Sequence, residues 1–163
     1  MNPLAAGMWP GHAANAAVIK QAVEWSVARF PGHGLAVGTG WSGPKTLFEI
    51  DVLRPLREFI RAVLPGDSIW GLDGWANVMR AGDSIGLHDH VKSHHGGVNT
   101  WSGVYYLQHP ENAPRLEVGQ VSVLPVPGLV VLFPATTPHF VPPGSFEGER
   151  ISIAFNAREL EAP

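Results

Sequence analysis

Arg150-Ile151-Ser152-Ile153-Ala154-Phe155-Asn156 alternates strictly between two kinds of residue. Successive side chains of a β-strand point to opposite sides. Ile151, Ile153 and Phe155 therefore share an apolar face, and Arg150, Ser152, Ala154 and Asn156 share the other. Ser152 and Ala154 are small and leave space in front of the arginine. Working back along the chain, the same β-rich composition recurs in Ile69–Met79, Ile85–His90, Thr100–Leu107, Leu116–Val118, Val121–Leu124, Leu129–Phe133 and Pro138–Val141. Gly82-Asp83, Pro110-Glu111-Asn112, Gly119-Gln120, Pro127-Gly128 and Pro143-Gly144 punctuate these runs as turns. About eight short strands over residues 68–157 predict a jelly-roll barrel.

The N-terminal part reads differently. Residues 13–64 carry helical spacing and are expected to support one sheet of the barrel. Ala14, Ala17, Val18, Ala22, Val23, Trp25, Ala28 and Phe30 form an apolar stripe that Pro31-Gly32 ends. A second helix is expected over about Val52–Leu64, with Asp51 as its cap and Leu53, Leu56, Phe59, Ile60 and Val63 buried. The fold expected is mainly β with N-terminal helices: one domain, residues 1–163, built on a double-stranded β-helix (jelly-roll, cupin-like) barrel.

Composition narrows the function. The chain has no cysteine, which excludes disulfides and thiolate metal sites. Any metal must be held by His, Asp or Glu. The formal charge is -3 and there is no block of Lys or Arg, which argues against nucleic acid or an anionic membrane surface as partner. No signal-like N-terminus and no apolar run of about 18 residues is present, so a cytoplasmic protein is expected. Exposed barrel sheets often pair, so a homodimer is a further expectation.

Three features carry chemistry. In His88-Asp89-His90 the two histidines face one side of a strand, about 6–7 Å apart along the backbone, and can converge on one ion. The plainer reading is two polar histidines beside a solvated turn. His139 follows the apolar run Gly128–Pro134 after a short polar loop. Arg150, if it faces into the barrel, needs an anionic partner, because a buried unpaired charge is costly. That partner is a ligand carboxylate, suited to bidentate contact, or a local glutamate such as Glu147 or Glu149. In Ser102-Gly103-Val104-Tyr105-Tyr106-Leu107 one tyrosine faces inward and needs a partner for its hydroxyl.

Trp75-Ala76-Asn77-Val78, Gly82-Asp83, His88-x-His90, Ser102–Leu107, Leu132-Phe133-Pro134 with His139, and Arg150–Asn156, in that order, resemble the 2-oxoglutarate/Fe(II)-dependent oxygenases of bacteria and phages. That group is related in fold to the prolyl 4-hydroxylases. The resemblance covers about residues 70–157. It implies that His88, His90 and His139 hold Fe(II). It implies that Arg150, helped by Tyr106 and Ser152, grips the distal carboxylate of 2-oxoglutarate, with Asn77 facing the same cosubstrate. The implied reaction uses O2 to hydroxylate a small-molecule or peptide substrate that the sequence does not specify.

The chain departs from the wider superfamily pattern in two places. His90 stands where a facial triad usually has a carboxylate. Three neutral imidazoles leave the ion its full charge, unless Asp89 reaches in or the chelated cosubstrate supplies the anion. The stretch 91–101 is also long, and contains His94-His95-Gly96-Gly97, either a substrate rim or a solvated loop. The rival readings are a three-histidine cupin-type dioxygenase or lyase that does not use 2-oxoglutarate, and a non-catalytic metal- or ligand-binding jelly roll. His12, His33 and His109 adjoin Gly or Pro and are expected at the surface.

Overall fold

The computed structural model describes residues 4–32, 40–91 and 97–161. In chain order these form β1 (Ala5–Met8), α1 (His12–Arg29), β2 (Trp41–Ser42), two 3-10 turns (Leu47–Glu49 and Asp51–Leu53), α2 (Arg54–Val63), β3 (Ile69–Met79), β4 (Ile85–His88), β5 (Trp101–Gln108), β6 (Leu116–Val118), β7 (Val121–Val123), β8 (Leu129–Pro134), β9 (His139–Val141) and β10 (Arg150–Glu161). The strands make a large sheet in the order β1-β8-β5-β10-β3-β2 and a small one in the order β4-β9-β6-β7. Every pairing between these strands is antiparallel. This is the expected double-stranded β-helix, with helices only in the first 65 residues of the described chain.

β10 lies at the centre of the large sheet, between β5 and β3. Its alternation now has a physical cause. Ile151, Ile153 and Phe155 join Tyr105, Leu107, Val130 and Leu132 against the helices, where Ile19, Val23, Leu53, Leu56 and Ile60 close a core. The opposite faces of the strands turn toward the small sheet, where Val104, Tyr106, Val131 and Phe133 meet Leu116, Val118 and Val141. The layer between the two sheets is thus half apolar core and half cavity.

Gly103 on β5 shows how close the packing is. A Cβ there would collide with the Phe155 ring and the Val131 carbonyl. Gly103→Ala is therefore expected to destabilise the fold by about 1–3 kcal/mol through overpacking. Urea denaturation measures it, and an unchanged midpoint would contradict this packing.

The N-terminal part differs from the helical expectation in three ways. β1 pairs with β8 (Ala5↔Leu132 to Met8↔Leu129), and β2 pairs with β3 (Trp41↔Val78, Ser42↔Asn77). Both strands are too short to show an alternation in the sequence. The buried stripe of α1 is Ile19, Ala22, Val23 and Ser26, whereas Ala14, Ala17, Val18, Trp25, Ala28 and Phe30 are exposed. Apolar residues are spread around the whole helix, so periodicity could not choose its inner face. Asp51 opens a 3-10 turn and does not cap α2, which begins at Arg54 with Pro55 in its first turn. Leu56 and Ile60 are buried as expected, but Val63 is exposed. Among the described residues no helix is long and apolar enough to cross a membrane.

Candidate metal centre and anion pocket

β4 and β9 lie side by side with His88 directly opposite His139. β4 ends at His88, two residues earlier than the sequence suggests. His90 is fixed beyond it by its backbone N–H, which donates to Ala135 O at 2.9 Å, and by its carbonyl, which accepts from Asn99 Nδ2 at 2.7 Å. The ligand atoms of the three histidines all lie within 4.8 Å of one another. His88 Nδ1 donates to Gly86 O at 2.7 Å and His139 Nδ1 to Thr137 O at 3.0 Å. A carbonyl can only accept, so both Nδ1 atoms carry the proton and both Nε2 atoms present a lone pair.

His88 Nε2 and His90 Nε2 are 3.0 Å apart. Two nitrogens at right angles on an ion about 2.1 Å away would be separated by about 3.0 Å. The donor set therefore fits a facial metal ion. Asp89 does not reach in. It is exposed, and its Oδ1 accepts from Val91 N–H at 3.4 Å. Among the described residues the converging set is three imidazoles with no carboxylate.

Burial lowers His90 to about 3, with the neighbouring His139, His88 and Lys45 charges adding to it. Burial also lowers His139 to about 4, against the opposing hydrogen bond to Thr137. Both values lie below the unfolded value near 6.5, so the unfolded chain binds protons more readily. The stability due to these neutral imidazoles is whole above 6.5 and is lost as pH falls through 4 toward 3. At pH 5.5 each should have cost the metal-free protein about 1.4 kcal/mol relative to neutral pH. Urea midpoints at pH 7.5 and 5.5 measure this. Equal midpoints would contradict it.

At the other end of the cavity Arg150 is 1 % exposed and Tyr106 0 %. Arg150 Nη1 touches Met79 Sδ at 3.4 Å, and the guanidinium carbon lies 5.3 Å from the Tyr106 ring centroid. Arg150 Nε, Tyr106 Oη and Asn77 Oδ1 are buried without a hydrogen-bond partner. Burial raises the Tyr106 phenol to about 12, partly opposed by the Arg150 charge. The local-glutamate alternative is not realised, because Glu149 pairs with Arg80 and Glu147 is exposed. Ser152 and Asn77, cross-strand partners on β10 and β3, face the same cavity. The cavity is narrow, about 40 Å3, and runs from the histidines to Arg150.

The tyrosines divide as the strand requires. Tyr106 faces the cavity, while Tyr105 faces the helices, where its hydroxyl meets His12 Nδ1 at 2.7 Å. His12 is therefore a half-buried partner of the sheet and not a surface residue. His109, expected at the surface, is not there either. It is half-buried, its ring is 6.3 Å from that of Tyr106, and its Nδ1 has no partner. Burial, and then the Arg150 charge, lowers it to about 4. Its position just past the strand carrying Tyr106 was the one sequence signal for this placement. His94, His95 and His33 lie outside the described residues.

One cavity thus carries three converging imidazoles and a buried guanidinium whose Nε has no partner among the described residues. Residues 113–156, which include His139, Arg150 and Ser152, match the family model described as "Putative 2OG-Fe(II) oxygenase". The resemblance read from the sequence is borne out by this match over that segment. No curated relative matches it in sequence. Among solved structures it is similar to the viral collagen prolyl hydroxylase of Paramecium Bursaria Chlorella virus-1, with 14 % identity over 95 % of this chain and 96 % of that one and a TM-score of 0.72. It is also similar to a Pseudomonas putida prolyl-4-hydroxylase, with 16 % identity over 99 % and 95 % and a TM-score of 0.70. A third is HygX of Streptomyces hygroscopicus, solved with nickel and 2-oxoglutarate, with 14 % identity over 98 % and 83 % and a TM-score of 0.69. At such identities these likenesses establish the fold.

Proposed function

We propose that the protein is a 2-oxoglutarate-dependent, non-haem Fe(II) oxygenase that hydroxylates its substrate. The observation that carries this reading is Arg150, a fully buried guanidinium without a carboxylate partner, at the far end of a cavity that begins at three histidines. His88, His90 and His139 would hold the iron through Nε2. When bound, iron with 2-oxoglutarate and O2 supplies the oxidising power that converts a substrate C–H bond to C–OH, with succinate and CO2 as the other products.

The chain's own residues bind, orient and shield. Arg150 offers a fork of donors to the distal carboxylate of 2-oxoglutarate. Tyr106 and Ser152 add hydroxyls, and Asn77 adds a carbonyl oxygen and an amide. The cosubstrate brings the negative charge that the three-imidazole set lacks. Val104, Leu116 and Val141 line the cavity with apolar surface, which disfavours water there. No general acid or base is required.

Incubation with Fe(II), O2 and 2-oxoglutarate is expected to release succinate even without the true substrate, through uncoupled turnover, and His139→Ala should abolish that release. If no succinate forms while iron binds normally, the three-histidine cupin reading replaces this one.

A further inference from the structure

Beside the partly exposed His90, the stretch just before the first 3-10 turn brings up one cation. The Lys45 Nζ stands over the Trp75 ring, 5.3 Å from its centroid. The Trp75 ring is 5.6 Å from that of His90. By these two steps the ammonium is no more than about 11 Å from the His90 ring, and its charge is felt there. The backbone beneath it is pinned to β3: Gly74 N–H donates to Lys45 O at 3.2 Å, and Thr46 bridges Gly74. Lys45 is only partly exposed. Among the described residues no carboxylate pairs with it. Asp73, two residues from Trp75 on the same face of β3, is engaged by Arg158 at 3.6 Å. Asp89, near the imidazoles, is exposed and faces its own backbone.

A lysine ordinarily extends its ammonium into water. Here it is held over an indole that lies near one imidazole of the candidate metal site, while Asp73 is engaged by Arg158 and Asp89 by its own backbone. A cation above an aromatic face is attracted to it but keeps its donors free. We propose that Lys45 is a substrate-recognition residue. Its ammonium takes an anionic group, a carboxylate or phosphate, of the molecule that brings its C–H bond to the histidine centre, while Trp75 forms the wall against which that molecule lies. This rests on the oxygenase reading for the role of the metal. It adds that the cavity reads two anions from opposite ends, the cosubstrate by Arg150 and the substrate by Lys45.

The test uses the protein loaded with Mn(II) and saturated with 2-oxoglutarate, and follows the paramagnetic relaxation of probe protons by NMR. The probes are 3-phenylpropionate and its neutral amide. In the wild type the acid should be relaxed at concentrations roughly tenfold lower than the amide, the difference expected of one charge-assisted hydrogen bond. Lys45→Gln should erase that difference, Lys45→Arg should keep it, and added salt should weaken it. Equal relaxation by acid and amide, no relaxation by the acid, or a preference that survives Lys45→Gln would each overturn the proposal. Thermal melts of both variants exclude misfolding. Calorimetry of 2-oxoglutarate alone separates the two readings: failure there with a Lys45-dependent preference intact would sink the cosubstrate and leave the anionic substrate standing.

Discussion

Replacing Arg150 with methionine is expected to raise the melting temperature of the metal-free, ligand-free protein while abolishing 2-oxoglutarate binding. The guanidinium is 1 % exposed, its Nε has no partner among the described residues, and its Nη1 meets the thioether of Met79 at 3.4 Å. Burial lowers its pKa, partly opposed by Tyr106. Replacing buried ionic groups with apolar ones of similar size is often stabilising by about 1–4 kcal/mol. At this chain length each kcal/mol shifts the midpoint by about 2–4 °C. The same change removes the fork that would hold a carboxylate. Each charge-assisted hydrogen bond lost costs about 1.5–3 kcal/mol, so affinity should fall a hundredfold or more. Arg150→Lys should lie between methionine and wild type, because a point charge cannot reproduce the fork. Tyr106→Phe should cost less, since it removes one neutral hydrogen bond. Differential scanning calorimetry and ligand titration read both effects. A methionine variant that melts lower and still binds 2-oxoglutarate would refute the assignment of Arg150 as an anion receptor.

The second large effect belongs to His139. It is buried at 6 % exposure, and its Nδ1 is committed to Thr137 O, so its Nε2 has one direction available. His139→Ala should reduce bound Fe(II), measured by elemental analysis after anaerobic loading, from one equivalent per chain to near zero. Loss of a supporting hydrogen bond costs roughly 10–100-fold in metal affinity, and loss of a ligand should cost more. His88→Ala should behave alike. Asp89→Ala and His109→Ala should keep the ion, because neither side chain is in the converging set. Unchanged stoichiometry in both His88→Ala and His139→Ala would remove the metal site from the account.

The barrel and much of the candidate site were legible before the structure because both follow from period-2 alternation. On β10 the alternation placed Arg150, Ser152, Ala154 and Asn156 together on one face, and the register shows why: Ile151, Ile153 and Phe155 are claimed by the helix layer. In β4 it put His88 toward the cavity, but it carried the strand too far. His90 is positioned by Ala135 and Asn99 from elsewhere in the chain, which no local pattern records. The helical part read less well for a related reason. Ala14, Ala17, Val18 and Trp25 are as apolar as the residues α1 buries, so the choice of face is made by the sheet beneath it. β2 is a two-residue strand that exists because β3 offers it an edge. His12 and His109 look like turn histidines in sequence, and only tertiary contact with Tyr105 and Tyr106 gives them a place. That Arg150 lacks an acidic partner also needed the fold, since Glu149 was near in sequence but lies against Arg80.

In the proposed function one cavity joins a metal ion held by three histidines to 2-oxoglutarate held by Arg150. The most direct measurement is calorimetric titration of 2-oxoglutarate into the Mn(II)-loaded protein under nitrogen, beside the metal-free protein and the Arg150→Ala variant with Mn(II). The account predicts saturable one-to-one binding in the first, and binding at least roughly tenfold weaker in each of the other two. Absence of binding to the Mn(II) form at millimolar ligand, or equal affinity in all three, would contradict it.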